Sequence, residues 1–138
     1  MATSTKEVQN IAYIYGLGRR KRSVARSKYY PTEEELTVLV NKKPIKTYFS
    51  DFYAETILAA LNKMGVSKGR FELFINGGGT SGQAEAGRLA IAKSLLKADE
   101  GYRILLRMHG YLTTDIRKVL PKRAGLRKNR KPEQWSKR

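Results

Sequence analysis

The spacing of apolar residues along this chain changes repeatedly, and each change marks an element. Asn10–Tyr15 (NIAYIY) is rich in β-branched and aromatic residues and predicts a strand, punctuated by Gly16 and Gly18. Ser23–Tyr30 resumes extended structure, and at period two Arg22, Arg26 and Lys28 share a face with Val24. Such a face suits a strand lying along nucleic acid. It equally suits an edge strand that uses charge to resist aggregation, and spacing alone does not separate the two. Leu36–Val40 (LTVLV) predicts a short strand followed by a turn over Asn41, Lys42, Lys43 and Pro44.

Ser50 or Asp51 caps a helix running to about Met64, with Ala54, Ile57, Leu58 and Leu61 on one buried face and Gly65 at its end. Phe71–Ile75 (FELFI) predicts another strand. Thr80 and Gln83 have capping-box spacing, which predicts a helix from Thr80 to about Ala98, turning Leu89, Ala92 and Leu96, with Ile91 and Leu95, toward the core. Arg88 falls inside that apolar arc and has to snorkel out or find a partner. A short helix over Tyr102–Met108 ends at Gly110. Apolar residues then thin out, and Pro121, Gly125 and Pro132 break any long helix. This tail lacks the apolar area to offset its ordering entropy, so it is expected to be extended and to order on a partner. The expected organisation is a flexible N-terminus over residues 1–9, a globular α+β body over 10–110 and a basic tail over 111–138.

Charge sharpens that division. The 138 residues carry a net charge of +16. Gly16–Lys28 holds six basic residues and no acid: Arg19, Arg20, Lys21, Arg22, Arg26 and Lys28. Tyr29–Ile116 is nearly balanced, with eleven basic and ten acidic residues. Arg117–Arg138 holds ten basic residues against one acid, Glu133. A single charge run is usually a solvated face. Two blocks flanking a neutral body repel themselves and suit a phosphate backbone that releases counterions on binding. Composition alone also leaves a DNA-packaging protein or a membrane-surface peptide open.

Catalytic and metal chemistry find little support. Cysteine is absent and His109 is the only histidine, which leaves no thiolate or histidine-rich metal site; neither a metal nor a cofactor is expected. No apolar run approaches the ~20 residues needed to span a bilayer. Met1–Gln9 has no apolar h-region and includes Glu7, so it reads as neither signal nor transit peptide, and the expected location is the cytoplasm. Gly77–Gly82 has the end-glycine spacing of a P-loop, but Gln83 and Ala84 stand where the phosphate-reaching Lys and the Mg²⁺-binding hydroxyl belong. The loop is then a tight turn that brings backbone close to another segment or to an RNA phosphate. No zinc finger, basic-region heptad or RNP-type aromatic pair appears. A compact core with basic extensions suits structured RNA, read by shape and phosphate position. Trp135, among basic residues, can stack on a base or pack on a neighbour.

Four segments together resemble one family: Gly16–Arg26 (GLGRRKRSVAR), Asn76–Ala86 (NGGGTSGQAEA), Leu112–Arg117 (LTTDIR) and the terminal Gln134–Arg138 (QWSKR). In this order and spacing they resemble the ninth protein of the small ribosomal subunit in its bacterial form, across roughly Ile11–Arg138. The Val40-Asn41 and Tyr48-Phe49 pairs are also similar. Lys137 favours the bacterial type over the archaeal and eukaryotic ending Ser-Tyr-Arg. Leu17, Thr114, Ile116 and Trp135 depart from the usual Thr, Arg, Ser and Phe, and Pro121–Lys131 follows the usual tail only loosely.

The resemblance implies an α+β fold with a four-stranded sheet packed on helices and a left-handed βαβ crossover, like the second domain of ribosomal protein five. It implies no catalytic activity. It also implies a structural role in the small-subunit head, bound to the 3′ major domain of the ribosomal RNA beside neighbouring head proteins. The RNA contacts it points to are Arg19, Arg20, Lys21, Arg22, Arg26, Lys28, Gly77, Gly78, Gly79, Arg88, Arg117, Lys118, Lys122, Arg123, Arg127, Lys128 and Arg130. Ser136, Lys137 and Arg138 would reach the anticodon stem-loop of the P-site tRNA. A free DNA- or RNA-binding protein and a phosphotransferase on the same fold class remain the alternatives.

Overall fold

The computed structural model describes residues 12–137; Met1–Gln9, the first residues of the predicted opening strand and Arg138 lie outside the described residues. Among the described residues, five strands form one mixed sheet: β1 (Ile14–Arg20), β2 (Ser23–Tyr30), β3 (Thr37–Val40), β4 (Lys43–Pro44) and β5 (Arg70–Asn76). Their order is β1-β2-β5-β3-β4. Only the β3/β5 pair is parallel; the others are antiparallel. The fifth strand beyond the expected four is the two-residue β4. Asn41 and Lys42 both take positive φ (48° and 67°), the geometry of a tight two-residue hairpin turn, and fold β4 back on β3.

Between β4 and β5 run α1 (Ile45–Tyr48) and α2 (Asp51–Met64), the crossover that parallel pairing requires. Gly65 ends α2 in the left-handed region at φ 65°, as the sequence predicts. α3 (Thr80–Ala98) follows β5, and a 3₁₀ turn over Glu100–Tyr102 leads into α4 (Arg103–Met108).

The helices cover one face of the sheet. Phe71, Leu73, Val40, Ile57, Leu61, Ile91, Leu95 and Leu106 are fully buried between the layers. The Tyr29 ring stacks on Phe71 at 4.3 Å. Leu96 packs at the rim rather than inside.

The strand β1 differs from its prediction in an informative way. Gly16 and Gly18 lie inside a seven-residue strand and do not end it. A Cβ on Gly16 would sit 2.2 Å from the Ala90 carbonyl oxygen, and one on Gly18 would sit 2.0 Å from that of Ala86. The glycines let α3 lie directly on the strand backbone. Over the first part of β2 the inward residues are also small: Ser23, Ala25 and Ser27 are buried, and the Ser27 hydroxyl donates to the Ala90 carbonyl at 3.1 Å.

The predicted capping box does not form. Gly79 is the N-cap of α3, without a side-chain cap, and the Gln83 amide donates to the Gly77 carbonyl at 3.2 Å. With no hydroxyl at Gly79, nothing caps the helix from that position, and Gln83 closes the preceding glycine loop.

Beyond Met108 the described residues contain no helix or strand, only an isolated bridge between Leu126 and Pro132. Tyr111 and Leu112 still pack on the core. Ile116, Val119 and Trp135 are largely exposed.

Candidate nucleic-acid interface

The first basic block becomes a hairpin. Arg20 pairs with Ser23, so Lys21 and Arg22 are the two residues of the loop, and Lys21 takes φ 54° to close it. Arg19, Lys21 and Arg22 are exposed at this tip; Arg26 and Lys28 continue down the outer face of β2. Since β2 lies between β1 and β5, the edge-strand explanation for its charges fails. The cations occupy the open face of an interior strand.

Arg20 alone turns inward. Its guanidinium pairs with Glu85 in the second turn of α3, reaches Asp115 at 3.2 Å and donates to the Arg117 carbonyl at 3.3 Å. Asp115 in turn accepts from the Arg117 guanidinium at 2.7 Å and from its backbone N–H at 2.8 Å. The hydrogen bond from the Arg117 side chain, then that from its backbone, hold the Asp115 carboxyl down at about 2. The same contact raises Arg117 above its ordinary value. This network draws the start of the second basic block to the first. Between them lies a cavity of about 500 Å³ lined by Arg19, Lys21, Arg22, Asp115 and Lys118 among others.

The glycine segment abuts the same hairpin. Gly77 and Gly78 have φ of 73° and 68°. A Cβ on Gly77 would approach the Arg22 carbonyl oxygen to 2.8 Å, and one on Gly78 would approach the Ser23 hydroxyl to 2.0 Å. Their conformational freedom serves close contact with another segment, one of the two uses the sequence left open. Gly77, Gly78 and Gly79 remain exposed on the outer side, beside the cationic tip and ahead of the α3 N-terminus. At the position of a P-loop lysine, Gln83 is occupied in closing the loop.

Arg88 finds the partner its position requires: its guanidinium lies 4.9 Å from the Tyr111 ring centre. It shares a recess with Arg19, Arg20 and Asp115. Lys118, Lys122, Arg123, Arg127, Lys128 and Arg130 are exposed, and none forms an ion pair among the described residues. The Arg127 N–H donates to the Lys131 carbonyl at 2.8 Å, closing a loop around them. Ser136 and Lys137 are exposed near the end. No group of acids and histidine able to hold a metal occurs among the described residues.

Sequence reasoning missed two features. Glu85 and Asp115 were not read as partners of Arg20, because no local pattern links positions so far apart. The aromatic residues of the open sheet face were also missed. Tyr13 lies just before β1 and Tyr15 within it, while Tyr30 and Phe74 come from two other strands, so only the strand register unites them.

Residues 18–138 match the family model described as ribosomal protein S9/S16. Among curated proteins, the small ribosomal subunit protein uS9 of Azobacteroides pseudotrichonymphae genomovar. CFP2 is 42% identical over 128 residues, covering 91% of this chain and 98% of that protein.

Proposed function

The chain belongs to the ribosomal protein S9/S16 family, in its bacterial form, and from that premise we propose that it holds ribosomal RNA in the head of the small subunit and touches the P-site tRNA with its C-terminus. Members of this family are structural, non-enzymatic constituents of the small subunit, and this chain works there in translation, in the cytoplasm. The finer assignment is to the 3′ major domain, among the other head proteins. It divides the chain into a short N-terminal arm, an RNA-holding body over residues 10–110 and a tail over 111–138. The fold is assigned to that of the second domain of ribosomal protein five, with a left-handed crossover from β3 through α2 to β5.

One observation carries the RNA reading: two basic blocks almost a hundred residues apart meet at one place, where Arg20 binds both Asp115 and the Arg117 carbonyl. The exposed cations around that junction, Arg19, Lys21, Arg22 and Lys118, face outward without acidic partners among the described residues. Arg26, Lys28 and the glycines Gly77–Gly79 extend the surface. Lys122, Arg123, Arg127, Lys128 and Arg130 extend it along the C-terminal segment. Phosphate contacts of this kind position a folded RNA without reading its sequence. Each adds about −0.7 to −0.9 to the slope of log affinity against log salt. Ser136, Lys137 and Arg138 then supply fixed positive charge to the backbone of the tRNA anticodon stem-loop, helping to retain the tRNA and the reading frame.

Deleting Ser136–Arg138 in cells tests the tRNA role. The amount of this protein in small subunits should be unchanged, while P-site tRNA affinity falls or frameshifting rises. Unaltered tRNA affinity and frame maintenance would remove the tRNA contact and leave the body's RNA role standing.

A further inference from the structure

The helices cover one face of the sheet, and the other face is open. Across it, β1, β2 and β5 align in rows. Tyr15 stands beside Lys28, and Leu17 beside Arg26, which in turn stands beside Phe74. Tyr13, just before β1, and Tyr15 are 46% and 40% exposed. The Lys28 ammonium lies 4.6 Å from the Tyr13 ring centre and 5.6 Å from that of Phe74. Arg26 is exposed, and neither Arg26 nor Lys28 has an ion-pair partner among the described residues. The acid of this face, Glu72, is taken by Arg70.

We propose that this open face is a stacking platform for unpaired nucleotides: bases lie on the Tyr13 and Tyr15 rings, and the adjoining phosphates bind Arg26 and Lys28. The proposal rests on the RNA-holding role above and gives this part of it a mode. Tyr13 and Tyr15 are two residues apart, about 7 Å along an extended chain, and lie on the same face. Base–aromatic stacking tolerates any sequence, since every base has a π-face, and cations beside the rings add to it. A duplex keeps its base faces inside its own stack and offers this surface only its backbone. The centre of a protein–protein interface is depleted of charge, whereas here cations without acidic partners sit beside the rings. The Lys28 ammonium is on a flexible stem, able to leave the Tyr13 ring for a phosphate as a base takes its place.

The test uses the full-length protein and a single-stranded RNA 12-mer carrying 4-thiouridine, with an unmodified 12-base-pair RNA duplex as comparison. Light-induced crosslinks to Tyr13, Tyr15 or Phe74 are expected. The double variant Y13L/Y15L, which removes two stacks, should lose about thirty-fold or more in affinity for the single strand. It should lose less than two-fold for the duplex, with an unchanged salt slope. R26Q should lower the salt slope by about 0.7 for the single strand. Y13L alone, outside the strand ladder, serves if the double variant melts early. Crosslinks confined to the hairpin tip and the C-terminal segment, with full single-strand affinity in the tyrosine variants, would overturn the platform and leave the RNA role intact. Failure of the unaltered protein to bind either RNA would overturn the RNA role itself. Protein-only crosslinks from this face in assembled small subunits would assign it to a neighbouring protein.

Discussion

Replacing Gly18 by alanine adds a single methyl group at the place where α3 lies closest to the sheet. The new Cβ would stand 2.0 Å from the Ala86 carbonyl oxygen and 2.7 Å from the Ala90 nitrogen. Both are helix backbone, so no side chain can swing aside. Ordinary contact begins near 3.4 Å, so the helix must retreat locally by about 1.4 Å or the strand must buckle. Gaps of about 0.5–1 Å already forfeit a quarter to a half of each dispersion contact. Along α3 the residues that would lose contact include Ala86, Ala90, Ile91 and Ser94, all fully buried. Overpacking in a well-filled core costs about 1–3 kcal/mol and more where the obstacle cannot move. We expect G18A to cost about 3–4 kcal/mol, a large share of the roughly 5–15 kcal/mol that holds a domain folded. Thermal and urea unfolding followed by circular dichroism should show the midpoint lowered by about 10–20 °C. The control is G79A: Gly79 has open space around it and ordinary φ, so that variant should lose no more than about 1 kcal/mol, the cost of a weaker N-cap. A G18A protein melting within about 3 °C of the parent would refute the backbone-on-backbone contact between β1 and α3.

Three further outcomes follow from the same geometry. The Asn41 amide donates to the Ile75 carbonyl and accepts from the Ile75 N–H, both at 3.0 Å, at a positive φ that asparagine tolerates; N41A should cost about 2–3 kcal/mol in urea unfolding. Asp115 should titrate at about 2 in an NMR pH series against an ordinary 3.8, so its contribution to stability is complete above about pH 4 and is lost as pH falls toward 2. In the same series R117Q should return the midpoint most of the way, and R20M should move it less, because the Arg117 hydrogen bonds are the larger cause. R20M should also lower stability by about 1–2 kcal/mol, because it leaves Glu85 half-covered without its partner; an unchanged melting curve would remove Arg20 as the tie between the hairpin and the C-terminal segment.

The helices were the most legible part of the sequence. The bounds of α2 and α3 coincide with the spacing of their apolar residues, and Gly65 ends α2 as a C-terminal glycine should. Strand β2 and its cationic face were also legible, because alternation is local. Gly16 and Gly18 were misread because their reason lies on α3, some seventy residues away. A glycine chosen for close packing looks the same in sequence as one chosen to end a strand. The capping box failed in a similar way: the spacing of Thr80 and Gln83 was right, but the helix cap fell on Gly79 and Gln83 turned to the loop behind it. The two basic blocks were legible from charge alone. The acids that organise them, Glu85 and Asp115, lay in separate segments and carried no local signature.

The contact between α3 and β1 also limits how this protein can change. In most cores a substitution that adds volume can be repaired by trimming a facing side chain. Here the nearest opposing atoms at Gly16 and Gly18 are the carbonyl oxygens of Ala90 and Ala86, with the amide nitrogens of Ser94 and Ala90 close behind, and every amino acid carries these atoms. No second substitution removes them. A lineage that loses either glycine has the ancestral codon as its simplest way back, so these two positions should drift least, even though neither has a side chain to offer a ligand.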